Sequence, residues 1–251
     1  MCRQMILVDN FTDISLGGND THVWFGRAVS KQDNIKVKNR LRYMDSEESR
    51  RYDRYKFPQK QHEFLIGRIF LKKILAQYLD ISPWDITLKY STNGKPILSS
   101  ETGSINLQFN LSHSHSGFAC AIALKEPVGI DMEYIRPVEQ DYINPYLTPE
   151  EIKYLSELSS SERLKSLFRI WTLKEAFLKA KDLPEEISST DFFFSFEDSD
   201  IKIHTREIDF PDNWKFYSMI PTDNFSLSLA VRSDHPVKFE VKYHCLNFDF
   251  Y

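Results

Sequence analysis

Cysteine is scarce: Cys2, Cys120 and Cys245 are the only three in 251 residues. They are too few and too scattered for a disulfide framework or a thiolate zinc site, so a reducing, cytoplasmic setting is expected. Glycine and proline are also sparse, at 8 and 11 residues, which excludes collagen-like and low-complexity chains. No run of about 18 apolar residues occurs, and the N-terminal MCRQMILVDNFTD lacks the apolar segment and cleavage site of a secretory signal, so no membrane partner is expected. The seven histidines are dispersed apart from His113 and His115, which excludes a histidine-rich metal centre.

What the chain does have is a globular balance, 41% hydrophobic and 27% charged. Its length allows one large domain or two compact halves. The formal charge of -4 predicts no nucleic-acid partner for the chain as a whole. That average conceals an uneven distribution. Between Arg40 and Lys73 ten Lys or Arg face five Asp or Glu, a local +5 that leaves -9 for the remainder. Most of this run reads as a solvated helix face, but Arg51 and Arg54, three residues apart on a helix, share a side and could clamp a phosphate.

The order of elements divides the chain. HVWFGRAV (22–29) reads as a strand, 46–78 as helical, and ITLKY, NLQFNLS and GFACAIAL as three strands, the last nearly all apolar and therefore central. A second cycle opens with the strand VGIDMEYI from Val128. Thr148, Pro149 and Glu151 then start a helix with N-cap, N1 proline and N3 glutamate in order, a longer helix runs from about Ser161 to Lys181, and β-rich segments follow Pro184. The expectation is an α+β chain of two halves, 1–125 and 126–251, although no sequence repeat links them.

Four stretches can carry chemistry. In the strand VGIDMEYI, alternation puts Asp131 and Glu133 on one face; this fits an ordinary solvated acidic face, or a hard-cation site, since Mg²⁺ takes one or two carboxylates plus phosphate oxygens. In ERLKSLFRIWTLKEAFLKAKD, Leu164, Phe168, Trp171 and Leu178 form an apolar seam in which Glu175 stands where a core residue is expected. An unpaired carboxylate there costs several kcal/mol, so Glu175 must be neutralised, be paired, for instance with Lys179 one turn on, or bind a cation. The basic run is the third. The fourth is the pair NGKPIL, whose Asn93-Gly94 turn presents Lys95, and FNLSHSHSG, which sets Ser112 and His113 at a strand end. Taken alone, each is better explained by ordinary turn chemistry, and no nucleophile elbow is present to make Ser112 and His113 a hydrolase couple.

Taken in order, GRIFLKKIL, NGKPIL, FNLSHS, VGIDME and FRIWTLKEAFLK resemble the 4'-phosphopantetheinyl transferase superfamily, in its larger Sfp-type branch. The pair GIDME and WTLKEAFLK, about 40 residues apart, is the specific signature. The resemblance implies two similar α/β halves related by a pseudo-twofold, with the active site at their interface. It implies transfer of 4'-phosphopantetheine from coenzyme A to a serine of an acyl, peptidyl or polyketide carrier protein, releasing adenosine 3',5'-bisphosphate, by a cytoplasmic monomer.

The resemblance assigns Asp131, Glu133 and Glu175 to Mg²⁺. It makes Glu175 the base for the carrier serine and Lys179 the stabiliser of the leaving phosphate, and puts Lys174 beside them in the catalytic motif, to position the helix or the carrier. Arg51, Lys95, Asn110, Ser112 and His113 are assigned to coenzyme A, with counting from Asn110-Leu111 selecting His113 over His115. Two other readings are a binding module without turnover, whose mark would be a lost metal or lysine position, and a Mg²⁺-dependent phosphodiesterase, which would show salt-sensitive DNA binding.

Overall fold

A computed structural model describes residues 5–7, 14, 16–28, 41–100, 102, 106–139, 143–182, 187–197, 200–205, 213–222, 224–234 and 238–246. The first cycle comprises β2 (Asp20–Ala28), α1 (Ser46–Arg54), α2 (Pro58–Leu79), a hairpin of β3 (Leu88–Tyr90) and β4 (Pro96–Leu98), then β5 (Leu107–Ser114) and β6 (Gly117–Leu124). The second repeats that order as β7 (Val128–Tyr134), α3 (Pro149–Ser156), α4 (Ser160–Lys181), a hairpin of β8 (Phe192–Glu197) and β9 (Asp200–Thr205), then β10 (Trp214–Met219) and β11 (Phe225–Arg232). A short β1 (Met5–Leu7) precedes the first cycle and β12 (Lys238–Leu246) follows the second.

The expected single helical stretch from 46 to 78 is two helices. Proline disfavours helical backbone in the residue before it; Phe57 is accordingly extended, and Pro58 opens α2 at its first position. Each shorter helix begins with a capping box, Asp45 with Glu48 in α1 and Thr148 with Glu151 in α3. Each 22-residue helix ends on an aspartate in the left-handed region, Asp80 and Asp182, both at φ 52.

The strands carry the same duplication. In the first sheet β6 lies between β2 and β5, and in the second β11 lies between β7 and β10, every one of these pairings antiparallel. β6 is central, as its apolar sequence predicts. Helix α2 covers one face of the first sheet through Phe70, Ile74, Trp24 and Ile122. The opposite face, with Val23, Phe25 and Ala121, packs on Ile130, Met132, Leu227 and Leu229 of the second sheet. Helix α4 closes the stack through Leu173, Ala176 and Phe177. β12 leaves the second half and pairs in parallel with β1 and β2, making the first sheet five-stranded.

Cys120 is free and buried in β6, and burial raises its thiol pKa, so it is an inert packing group. Cys2 and the side chain of Cys245 lie outside the described residues, as does Arg40. Among the described residues, no helix is long and apolar enough to cross a membrane.

Candidate active site

The junction of the two sheets is built from side chains. β7 is the edge of its sheet and lies against β5, the edge of the other. An unpaired row of amides there would be costly. Asn110, Ser112 and Ser114, on one face of β5, satisfy it: Ile130 N–H donates to Asn110 Oδ1 at 2.9 Å, Met132 N–H to Ser112 Oγ at 3.2 Å, and Tyr134 N–H to Ser114 Oγ at 3.1 Å. The two serines use their own protons on the carboxylates between those amides. Ser112 donates to Asp131 Oδ1 at 2.9 Å and Ser114 to Glu133 Oε2 at 2.8 Å. One ladder of three side chains therefore joins the halves and orients both acids. Ser114 was not apparent as a site residue from the sequence; the alternation Asn-x-Ser-x-Ser was visible, but nothing in it pointed to β7 as its partner.

Asp131 and Glu133 lie on the face of β7 toward α4, as strand alternation predicts. Backbone meets backbone there: a Cβ on Gly129 would lie 2.1 Å from Ala176 O and 2.5 Å from Ala180 N. That close approach carries Glu175 and Lys179 to the acids. Lys179 Nζ donates to Asp131 Oδ1 at 2.6 Å and to Ser112 Oγ at 3.3 Å. Leu111, Ser112, His113, Trp171 and these four charged residues line a cleft of about 320 Å³ between the halves.

The electrostatics of the cleft are those of crowded acids. Burial, then the Asp131 charge, raises the Glu175 pKa above its usual 4.5, against the opposing pull of Lys179. Burial raises Glu133 as well, with Ser114 acting against it and Asp131 adding to it. Asp131 Oδ2 is buried without a hydrogen-bond partner. His113 stands at the mouth beside Phe118; dehydration lowers its pKa, with Glu63 opposing and Lys179, Lys60 and Arg68 adding to the effect. His115 turns away, with positive φ, and lies against the Tyr134 ring.

Other expected site residues are placed elsewhere. Lys174 is buried, its ammonium 2.7 Å from Glu151 Oε2 and hydrogen-bonded to the carbonyls of Ser189 and Phe192; it does not line the cleft. Lys95 Nζ donates to the carbonyls of Lys179 at 2.9 Å and Val128 at 3.4 Å, beneath the cleft. The Arg51 guanidinium lies 3.4 Å from the Tyr90 ring centroid, outside the cleft lining, and Arg54 is exposed at the end of α1. Asn110 is buried in the ladder. Glu48, within the basic run, is fully buried and bound by Arg68 at 3.2 Å and Lys72 at 2.7 Å, so three of that run's charges are structural.

The sequence of residues 127–230 matches the model of the 4'-phosphopantetheinyl transferase superfamily, and 32–126 that of the 4'-phosphopantetheinyl transferase N-terminal region. The 4'-phosphopantetheinyl transferase HetI of Nostoc sp. is 30% identical over 224 residues, covering 87% of this chain and 90% of that protein. The chain belongs to the 4'-phosphopantetheinyl transferase superfamily. The 4'-phosphopantetheinyl transferase ffp of Bacillus subtilis is 20% identical over 85% of this chain and 92% of its own. A solved holo-[acyl-carrier-protein] synthase of Thermotoga maritima aligns with 43% of this chain and 64% of its own at a TM-score of 0.38 and 22% identity. This phosphopantetheinyl transferase is thus an enzyme that loads carrier proteins, and the two matched sequence models meet between β6 and β7.

Proposed function

We propose that this transferase takes 4'-phosphopantetheine from coenzyme A in the cleft between β5, β7 and α4, and passes it to the serine of an acyl, peptidyl or polyketide carrier protein. The observation that carries the assignment is the convergence of Asp131, Glu133, Glu175 and Lys179 on one cleft whose other wall is Ser112 and His113. A division of labour between 1–125 and 126–251 follows, the first half facing coenzyme A phosphates and the second supplying the acids.

The acids fit a hard cation such as Mg²⁺ in donor type: three carboxylates, one with a buried oxygen that no protein group satisfies. Among the described residues no three His, Cys, Asp or Glu side chains already converge on a metal position, and the Lys179 ammonium occupies Asp131 Oδ1. Asp131, Glu133 and Glu175 would hold the ion once Lys179 moves to substrate. Bound there, Mg²⁺ supplies charge neutralisation at the coenzyme A pyrophosphate.

The chain's own groups supply the remainder. Glu175 accepts the proton of the carrier serine. The serine oxygen attacks the β-phosphorus, and the bond to the outgoing adenosine 3',5'-bisphosphate breaks. Lys179, one helical turn from Glu175, neutralises the charge that develops on the leaving oxygen. His113, exposed at the mouth of the cleft, hydrogen-bonds a phosphate of coenzyme A. Ser112 and Ser114 hold two acids in place, and Lys174 fixes the inner face of α4. Both halves come from one chain, so a monomer contains the whole cleft.

The test is transfer of a fluorescent pantetheine label from coenzyme A to several apo carrier proteins with and without Mg²⁺. Label on a carrier serine that requires Mg²⁺ is expected. Folded protein that labels none of the carriers, or labels them equally in chelator, would overturn the respective assignments.

A further inference from the structure

The β3–β4 hairpin belongs to the first half, yet its tip holds the end of a helix in the second. Its turn is pinned internally: Gly94 takes φ +79, its N–H donates to Ser91 O at 2.9 Å, and Ser91 N–H donates to Lys95 O at 2.9 Å. Three side chains then cross to the second half. Ser91 Oγ donates to Asp182 Oδ1 at 3.2 Å, Asn93 Nδ2 donates to the Asp182 carbonyl, and Lys95 Nζ donates to the Lys179 carbonyl. The last carbonyls of a helix lack intrahelical partners and carry partial negative charge, so an ammonium satisfies both deficits. The same ammonium reaches the Val128 carbonyl, at the start of β7.

We infer that Lys95, at the tip of this hairpin, is a positioning residue for transfer: it bolts the end of α4 to the start of β7 and thereby fixes the distance of Glu175 and Lys179 from Asp131. The two carbonyls it bridges belong to the two elements that supply the acids. The Lys179 carbonyl accepts from Lys95 and its ammonium donates to Asp131, so a slip of α4 along its axis moves the catalytic side chain directly. Gly129 sets how closely α4 approaches β7; Lys95 sets where along β7 it stands. Burial that lowers the Lys95 pKa, opposed by Asp182, agrees with an ammonium held under the helix rather than presented to a phosphate. This role rests on the catalytic assignment of Glu175 and Lys179.

Lys95→Met and Asn93→Ala, each compared with the native protein, decide it through three readouts: kcat for carrier labelling at saturating coenzyme A, coenzyme A Kd by calorimetry in Mg²⁺ without carrier, and hydrogen exchange at the amides of residues 179–182. Lys95→Met is expected to lower kcat by about 10- to 100-fold, the scale of a displacement near 1 Å. Coenzyme A Kd should stay within about twofold, and exchange at 179–182 should accelerate while the last turn of α2 is unaffected. A Kd weakened about tenfold or more with exchange unchanged would make Lys95 a coenzyme A ligand and overturn the inference. Should Lys95→Met fail to fold, Asn93→Ala must show the same pattern at smaller amplitude, and native exchange and kcat in that variant would overturn it equally. Failure of the native protein to label any carrier would count against the catalytic assignment alone, because exchange at 179–182 still decides the bolt.

Discussion

In the first half the fifteenth and sixteenth residues of the long helix are Lys72 and Lys73; in the second they are Lys174 and Glu175. The fifteenth position does the same thing twice. Lys72 pairs with the buried capping-box glutamate Glu48, and Lys174 pairs with Glu151, at 2.7 Å in both cases. The sixteenth position does opposite things. Lys73 is a cation whose pKa burial brings down to about 8, whereas Glu175 is an acid whose pKa burial raises. Strand registers extend the contrast. Relative to the central strand, Asp131 and Glu133 of β7 occupy the places of Trp24 and Gly26 in β2. One scaffold was used twice, and only the second copy carries acids at the three places that face the cleft. Two adjacent motif residues thus separate by place, Lys174 within the scaffold and Glu175 in the cleft.

The largest effect should come from breaking that asymmetry. Glu175→Ala or Asp131→Ala should lower carrier labelling by about 10³-fold or more, while Lys73→Ala, at the matching place in the first half, should leave it within about threefold. Labelling rates at saturating coenzyme A and Mg²⁺ check both, and a comparable loss in Lys73→Ala would refute the division between copies.

The scaffold positions should respond in the same direction in both halves. Lys174→Met leaves the buried Glu151 carboxylate uncompensated and should cost about 3 to 5 kcal/mol in urea unfolding; Lys72→Met should cost less, because Arg68 still faces Glu48. Replacing both partners with apolar side chains, Glu151→Leu with Lys174→Met, should recover most of that loss. Restored labelling in the double variant would confirm that Lys174 touches no substrate, and a folded but inactive one would return it to the catalytic set.

A smaller effect follows from the raised carboxyl pKa values. The folded state holds protons on Glu133 and Glu175 more tightly than the unfolded chain does. Their contribution to stability is therefore fully present below the unfolded value of about 4.5 and is lost as pH rises through the folded values. Metal-free protein should gain stability from them as pH falls toward about 4.5, Glu175→Gln should flatten that gain, and saturating Mg²⁺ should oppose it by favouring the ionised forms. Melting temperatures at several pH values, with and without chelator, test the sign.

The smallest effect concerns the two helix ends. Asp80→Gly should stabilise by up to about 1 kcal/mol, because glycine adopts the left-handed conformation without penalty. Asp182→Gly should gain less, since it also loses the bond from Ser91.

Much of this was legible in the sequence because it is local. Alternation placed Asp131 and Glu133 on one face, Thr148, Pro149 and Glu151 marked the start of α3, and the misfit of Glu175 in an apolar seam flagged the cleft. What escaped depends on partners distant in the chain. Ser114 looks like any strand serine until β7 lies beside it. Lys95 looks like a phosphate ligand until the end of α4 is placed over it. Lys174 shares a motif with Glu175, but on a helix adjacent residues point about 100° apart, and only Glu151 shows where the lysine goes. The duplication showed as a second cycle of elements but as no sequence repeat, because it survives in element order and caps rather than in residue identities.

The placement of β12 has a consequence for how the molecule is made. Residues 238–246 pair with β2 along its length, so β2 must wait for a strand made long after it before its sheet is complete. Until then β2 presents an open edge, the kind of surface that invites mispairing. The second sheet, drawn from residues 128–232, has no such wait. Synthesis from the N-terminus therefore does not dictate the order of assembly: the half that carries the acids can finish first, and the half that is translated first finishes last.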